Sequence, residues 1–267
     1  MVLRPLRTIA LPETSERVYT RWLGEMEERL QDPQCDRYTL YAIFYPGAPP
    51  YEDVLADSAT HPTTRAALLA LDPHNITLEP EYYREIDVEK YARVKPLLWL
   101  WQCFDRSVMG GGNVDLGVRL RRILAPHVFK RCGKNFKCFQ FVEFSFGYNM
   151  EVGDDVVVHR HVLLDDRGGI ILGDKVSIAD YANIYSHTHD IVEQADVTDA
   201  VTILEDGARI TYHATVLAGV RVGENSIVGA NAVASRDVKP WHVYLGIPAK
   251  PVRVKPNAPP EVREQQD

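Results

Sequence analysis

Aliphatic and aromatic residues fall every six positions along much of the second half of this chain: at 146, 152, 158 and 164, then at 172, 178 and 184, then at 204, 210, 216, 222 and 228. A period of six fits neither an amphipathic helix, which repeats every 3.6 residues, nor a long strand of two-residue alternation. It fits short strands joined by tight turns, three to a triangular coil, each hexad turning one apolar side chain inward. Gly or Ala often follows that side chain, as in Val152-Gly153, Leu172-Gly173, Ile178-Ala179 and Val228-Gly229, where the turn crowds the backbone. The step from 164 to 172 is eight, with Gly168 and Gly169 to absorb the extra pair, and the step from 184 to 204 is twenty, which predicts an extruded loop. Coils stacked in this way stabilise one another in series. The expected fold is mainly β, a left-handed parallel β-helix with a helical N-terminal extension.

Residues 1–130 carry no short repeat and read as that helical extension, 131–256 as the β-helix, and 257–267, rich in Pro, Glu and Gln, as a disordered tail. Thr14 or Ser15 is placed to cap a first helix bearing Val18, Trp22, Leu23, Met26 and Leu30 on one stripe. The Pro-Gly-Ala-Pro-Pro stretch at 46–50 breaks the chain, and a short helix is expected over Thr63 to Leu71. Pro96 suits the first turn of a further helix through Phe104, whose Trp99 and Trp101 read as packing residues. Gly110 to Gly112 act as a hinge, after which Asn113 or Asp115 caps a helix ending near Pro126. A solenoid leaves a bare strand edge at each end, and the helical extension is placed to cover one.

Composition narrows the class. In 267 residues, 45% hydrophobic content supports a real core, and a net charge of -7 argues against a general affinity for nucleic acid. Cys35, Cys103, Cys132 and Cys138 form no CxxC pair and read as reduced thiols. No run approaches the roughly 18 apolar residues of a membrane span, and the N-terminus lacks a signal peptide's apolar region. The expectation is a cytoplasmic protein with no membrane partner.

Chemistry concentrates at Gly173–Asp190, where the hexad rhythm runs into His187, His189 and Asp190. Both histidines stand where a strand gives way to the loop, and an imidazole titrating near neutrality suits a general base. In an extended segment the two point the same way, so direction does not separate them. His159, His161, Asp165 and Asp166 lie one coil earlier. A different reading of the same histidines is a zinc site between subunits that activates water. A resemblance to the γ-type carbonic anhydrases, which share this fold, would need a histidine pair five residues apart, and no two of 159, 161, 187, 189 and 213 have that spacing. A non-catalytic scaffold is the third reading. From Arg236 to Lys255 the chain carries five cations against one acid, Asp237, a reversal that phosphate groups explain.

Five features in order, namely the tandem hexads, the histidine loop, Thr215 to Gly223, Val228 to Val238 and Gly246-Ile-Pro-Ala-Lys250, resemble the hexapeptide-repeat acyltransferases, in particular the galactoside, maltose and colanic-acid O-acetyltransferases. The resemblance covers Phe146 to Lys255. It implies a homotrimer with active sites between subunits, acetyl-coenzyme A as donor and a small acceptor, such as a sugar. The family's histidine segment, laid without gaps from Gly173, puts the catalytic base on His189 rather than His187. The resemblance further implies coenzyme A contacts at Ala230, Ser235 and Arg253; the basic stretch itself offers Arg236 and Lys250 for phosphates, and Ala218-Gly219 leaves room for the pantetheine arm. His159, His161, Asp166 and Asp190 are the expected acceptor contacts.

Overall fold

The structure, a computed structural model, describes residues 10–40, 53, 56 and 61–264, so the expected break at 46–50 lies outside the described residues. The chain divides into two compact units, one ending at Asp36 and the other beginning at Arg37. In the first, helix α1 spans Glu13–Gln31 and buries Leu23, Met26 and Leu30, while Val18 of the expected stripe is 55% exposed. The helix starts after Pro12, before either expected cap, and no side chain caps it. Glu13 and Glu16 in its first turn favour the positive end of the helix dipole instead.

The second unit opens with helices α2 (Pro62–Leu69), α3 (Val88–Arg106) and α4 (Val114–Val128). Helix α3 begins eight residues before Pro96, capped by Asp87, whose carboxylate accepts from the Lys90 amide at 3.0 Å. The proline therefore sits inside the helix and removes one backbone hydrogen bond. Burial of the whole run from Val94 to Trp101 outweighs that loss. Gly110 turns the chain where a Cβ would stand 2.0 Å from the Phe104 carbonyl oxygen. Asn113 caps α4 by accepting from the Leu116 amide at 3.3 Å.

From Arg131 the chain winds through three parallel sheets. The first face stacks Arg131–Cys132, Met150–Val152, Ile170–Leu172, Thr202–Leu204 and Arg221–Val222. The third stacks Glu143–Phe144, Leu163–Asp165, Asn183–Tyr185, Thr215–Val216 and Val233–Ala234. Between them the second face runs from Lys137–Cys138 to His242–Leu245, on which Lys250–Val254 folds back antiparallel. Val152, Leu172, Leu204 and Val222 lie in register one above another, and each is fully buried. Phe146 does not belong to this column. Phe144 pairs with Leu164, so the repeat reaches back through Cys138 to Cys132, and the step from 144 to 152 is another eight. Phe146 stacks on Tyr148 in the longer turn. Pro256 to Glu264, expected as part of a mobile tail, carry a one-turn helix α5 (Pro260–Arg263) and a buried Ala258.

Helices α3 and α4 seal the first coil. Trp101, Phe129, Phe136 and Phe144 form an aromatic cluster, with Trp101 edge-on to Phe144 at 5.1 Å between ring centroids. The coil's bare edge meets side chains rather than another strand. Arg122 Nε donates to Phe136 O at 3.0 Å, Arg121 donates to Cys138 O at 3.2 Å, and Asp105 accepts from the Phe141 amide at 2.6 Å. Arg121 and Asp105 are also ion-paired with almost no exposure. Removing one partner of such a pair strands a buried charge. Asp105→Asn is expected to lower unfolding free energy in urea by about 3–5 kcal/mol, and adding Arg121→Met is expected to recover part of the loss.

Candidate active site

The extruded loop is a hairpin. His187–His189 pairs antiparallel with Val197–Asp199, with His187 opposite Asp199 and His189 opposite Val197. Its root is pinned by two buried hydroxyls: Ser186 Oγ donates to Asp165 O at 2.6 Å and Thr202 Oγ1 to Tyr185 O at 2.6 Å. Gly168 is required there, because a Cβ would stand 2.2 Å from Ser186 O. At the tip, Asp190 accepts from the amides of Val192 and Glu193 at 2.7 and 2.9 Å. Those donors hold its carboxyl below the usual range. Asp190 therefore shapes the turn, beside the almost fully exposed Ile191.

The two histidines sit edge to face, 5.3 Å apart, in different surroundings. His189 is exposed, and its Nδ1 lies 2.9 Å from the Gln194 carbonyl oxygen. A carbonyl only accepts, so Nδ1 carries the proton and the neutral ring's lone pair is on Nε2. His187 is 15% exposed and its Nδ1 faces the Asp165 carboxylate in an ion-pair contact, off the line of a hydrogen bond.

One coil back, Asp165, Asp166 and Arg167 are all buried. A solvated charged face is the ordinary expectation for such a run. Asp166 is fully enclosed, accepting from the amides of Phe146 at 2.7 Å and Asn149 at 3.2 Å. It holds the turn below and offers an acceptor no surface. Asp165, absent from the expected contact set, is the residue that reaches His187. His159 and His161 lie at the corner before the third face, whereas the hairpin leaves from the corner after it. There His159 stacks on Phe139, and His161 lies between Phe141 and Tyr181, 4.8 Å from each. Within one chain the structure does not bring these two histidines to His187 and His189.

The expected donor contacts also divide. Ala218-Gly219 and Ser235-Arg236 occupy the corner between third and first faces, one and two coils beyond the hairpin, so they form a column below it. Gly219 turns at φ +77° against Ala200, just after the hairpin's return strand. Ala230, Lys250 and Arg253 stand on the second face or the corner after it, all exposed. Asp237, the lone acid of the basic stretch, accepts from the Arg221 amide at 2.8 Å. Burial pushes the Cys132 thiol up to about 11 and Cys138 to about 12, far from a thiolate nucleophile. Among the described residues no three His, Cys, Asp or Glu side chains converge as a metal site within the chain.

No family model matches this chain. It is similar to galactoside O-acetyltransferase of Escherichia coli, 25% identical over 140 residues, 51% of this chain and 69% of that one. A Schizosaccharomyces pombe protein named as an acetyltransferase is 28% identical over 71% of this chain and 97% of its own. That match is longer than the β-helix, so it reaches into the helical part. Among solved structures, a hexapeptide-repeat acetyltransferase of Vibrio cholerae in complex with acetyl-coenzyme A superimposes with a TM-score of 0.54 at 21% identity, covering 68% of this chain and 98% of that one. The fold is that of the hexapeptide-repeat acetyltransferases. It is a left-handed β-helix with helices ahead of it.

Burial raises the Asp166 carboxyl to about 6, against the opposing pull of the backbone amides around it. In the unfolded chain it titrates near 3.9. The folded state therefore binds this proton more tightly, and its contribution to stability is full below about pH 4 and lost as pH rises through about 6. Asp166→Asn removes this titration. The difference in Tm between wild type and variant is expected to shrink as pH rises from about 4 to about 6, measured by scanning calorimetry.

Proposed function

We propose that this chain transfers an acetyl group from acetyl-coenzyme A to a hydroxyl of a small acceptor, with His189 as general base. The observation that carries the choice is the bond from His189 Nδ1 to Gln194 O. It fixes the tautomer with the basic nitrogen free on an exposed ring. Nε2 takes the acceptor's hydroxyl proton as the oxygen attacks the thioester carbonyl. The tetrahedral oxyanion then collapses, the C–S bond breaks, and the departing thiolate takes the proton from the imidazolium, leaving an acetyl ester and free coenzyme A. The nearby carbonyl and the Asp165 charge on His187 stabilise the imidazolium stage.

The column below the hairpin gives the donor a track. Successive coils are about 4.8 Å apart, so a thioester at His189 runs its pantetheine arm past Ala218-Gly219 toward Arg236 and its phosphates. The remaining expected contacts, Ala230, Lys250, Arg253, His159 and His161, lie across the third face. A second copy of the chain brings its own set to this edge when the two corners meet, and a ring of three completes three such sites. The similarity to acetyltransferases, one of them holding acetyl-coenzyme A, supports donor and reaction class. We place the activity in the cytoplasm.

His189→Ala is expected to lower turnover by about 10²- to 10⁴-fold with the circular dichroism spectrum unchanged, while His187→Ala chiefly raises the acceptor KM. Coenzyme A release followed by thiol titration checks both. Full activity in the His189 variant would end this assignment.

A further inference from the structure

Beside His187 the third face and the helical extension enclose a cavity of about 430 Å³, within the roughly 300–1,000 Å³ of small-molecule pockets. The β-helix contributes Glu143, Asp165 and His187. The opposite wall comes from residues ahead of the repeat, Glu79, Tyr83 and Arg106. That wall is held in place by two cations. Lys95, from α3, donates to Ile76 O at 2.7 Å and pairs with Glu81 at 3.0 Å. Arg167 lies over the Tyr83 ring, 4.2 Å from its centroid, while ion-paired to Glu85. Tyr83 Oη in turn donates to Glu79 at 2.5 Å, and burial beside that carboxylate pushes the phenol up to about 12, so it remains a donor at neutral pH.

Three carboxylates therefore face one guanidinium across a polar cavity that His187 also lines. An anionic acceptor is repelled there, and a neutral one leaves Glu143 without an ionic partner. Resting on the assignment of His189 as base, we infer that this cavity is the acceptor subsite and that its helical wall selects a polyol bearing an ammonium group, an amino sugar being the simplest case. The ammonium is held between Glu79 and Glu143, and a hydroxyl at the other end of the molecule reaches past His187 to His189 Nε2. The proton and acyl group then move as described above, so the product is an O-acetyl ester with its amine still free.

The test uses the full chain, acetyl-coenzyme A and a matched series of glucosamine, glucose and glucuronate, with thiol release as the rate and NMR of the product as the site of acetylation. Glucosamine is expected to exceed the other two in kcat/KM by about ten- to hundredfold, the worth of one charge-assisted hydrogen bond. Glu143→Gln and Glu79→Gln should each reduce that preference through the acceptor KM, leaving the acetyl-coenzyme A KM unchanged. Glu143 is exposed, so its substitution tests charge without threatening the fold. Glu143→Lys should shift the preference toward glucuronate. If no sugar of the series turns over, calorimetric titration should give the same order of binding. Equal or better use or binding of glucose or glucuronate, an amine preference that survives both substitutions, an N-acetyl product, or no binding of glucosamine overturns the inference. The base assignment fails separately: it requires His189→Ala to lose transfer while still binding glucosamine.

Discussion

Backbone amides of each coil donate to carbonyls of the next, as from Val157 to Val176 at 2.9 Å and from Ser177 to Ala208 at 3.1 Å. This ladder forces every residue to sit on its counterpart one coil along, and every departure from six residues must leave at a corner. Two steps of eight and one of twenty leave at the same corner, between third and first faces. The twenty-residue step becomes the histidine hairpin, and the later turns at Ala218-Gly219 and Ser235-Arg236 fall directly below it. Alignment of the proposed donor track with the proposed base is thus a consequence of register, with no contact needed between them.

A ladder also has a first rung with nothing beneath it. Here that edge is met by guanidinium groups and a carboxylate from α3 and α4, which satisfy Phe136 O, Cys138 O and the Phe141 amide. The geometry suits a blunt end: side chains can reach individual backbone groups, whereas a further strand would only move the edge along. Helix α3 also carries Gln102 and Arg106 to the cavity beside His187. Covering the edge and walling the cavity are therefore one structural task, which ties stability of the extension to the shape of the site.

Much of this was legible in the hexads, because an inward side chain at every sixth position is a strong period and each of those from Val152 to Val228 is buried. The start was harder to see. Cys132 and Cys138 occupy inward positions without looking aliphatic, and Phe146 imitates a hexad member six residues before Val152. A second inward set, including Val156, Val176, Ala208 and Ala214, lies two residues before the first and is rich in small residues, which blurs its signal. Pro96 misled the placement of α3, because local preference gives way where eight consecutive residues are buried. At the site, the family's segment laid without gaps points to His189, yet the approach of Asp165 to His187 is a contact between adjacent coils that no local pattern encodes.

Asp165 and Asp166 make the same point about environment. They are neighbours in sequence on one strand end, so alternation sends their side chains to opposite sides. Asp166 points inward, where its carboxylate gathers backbone amides and holds the turn at Phe146 to Asn149. Asp165 points outward, bonded by Ser145 Oγ at 2.8 Å, and leaves an oxygen against His187. Burial raises the proton affinity of the first. The second lies at the cavity, against the imidazole of His187. Two identical side chains thus take different surroundings by direction alone, and moving the strand by one residue would exchange them. The glycine pair at 168–169 protects that register. Gly168 allows Ser186 to approach and bond Asp165 from above, while Gly169 takes a φ of +101° that returns the chain to the first face. The electrostatics of the site therefore depend on two residues that carry no side chain.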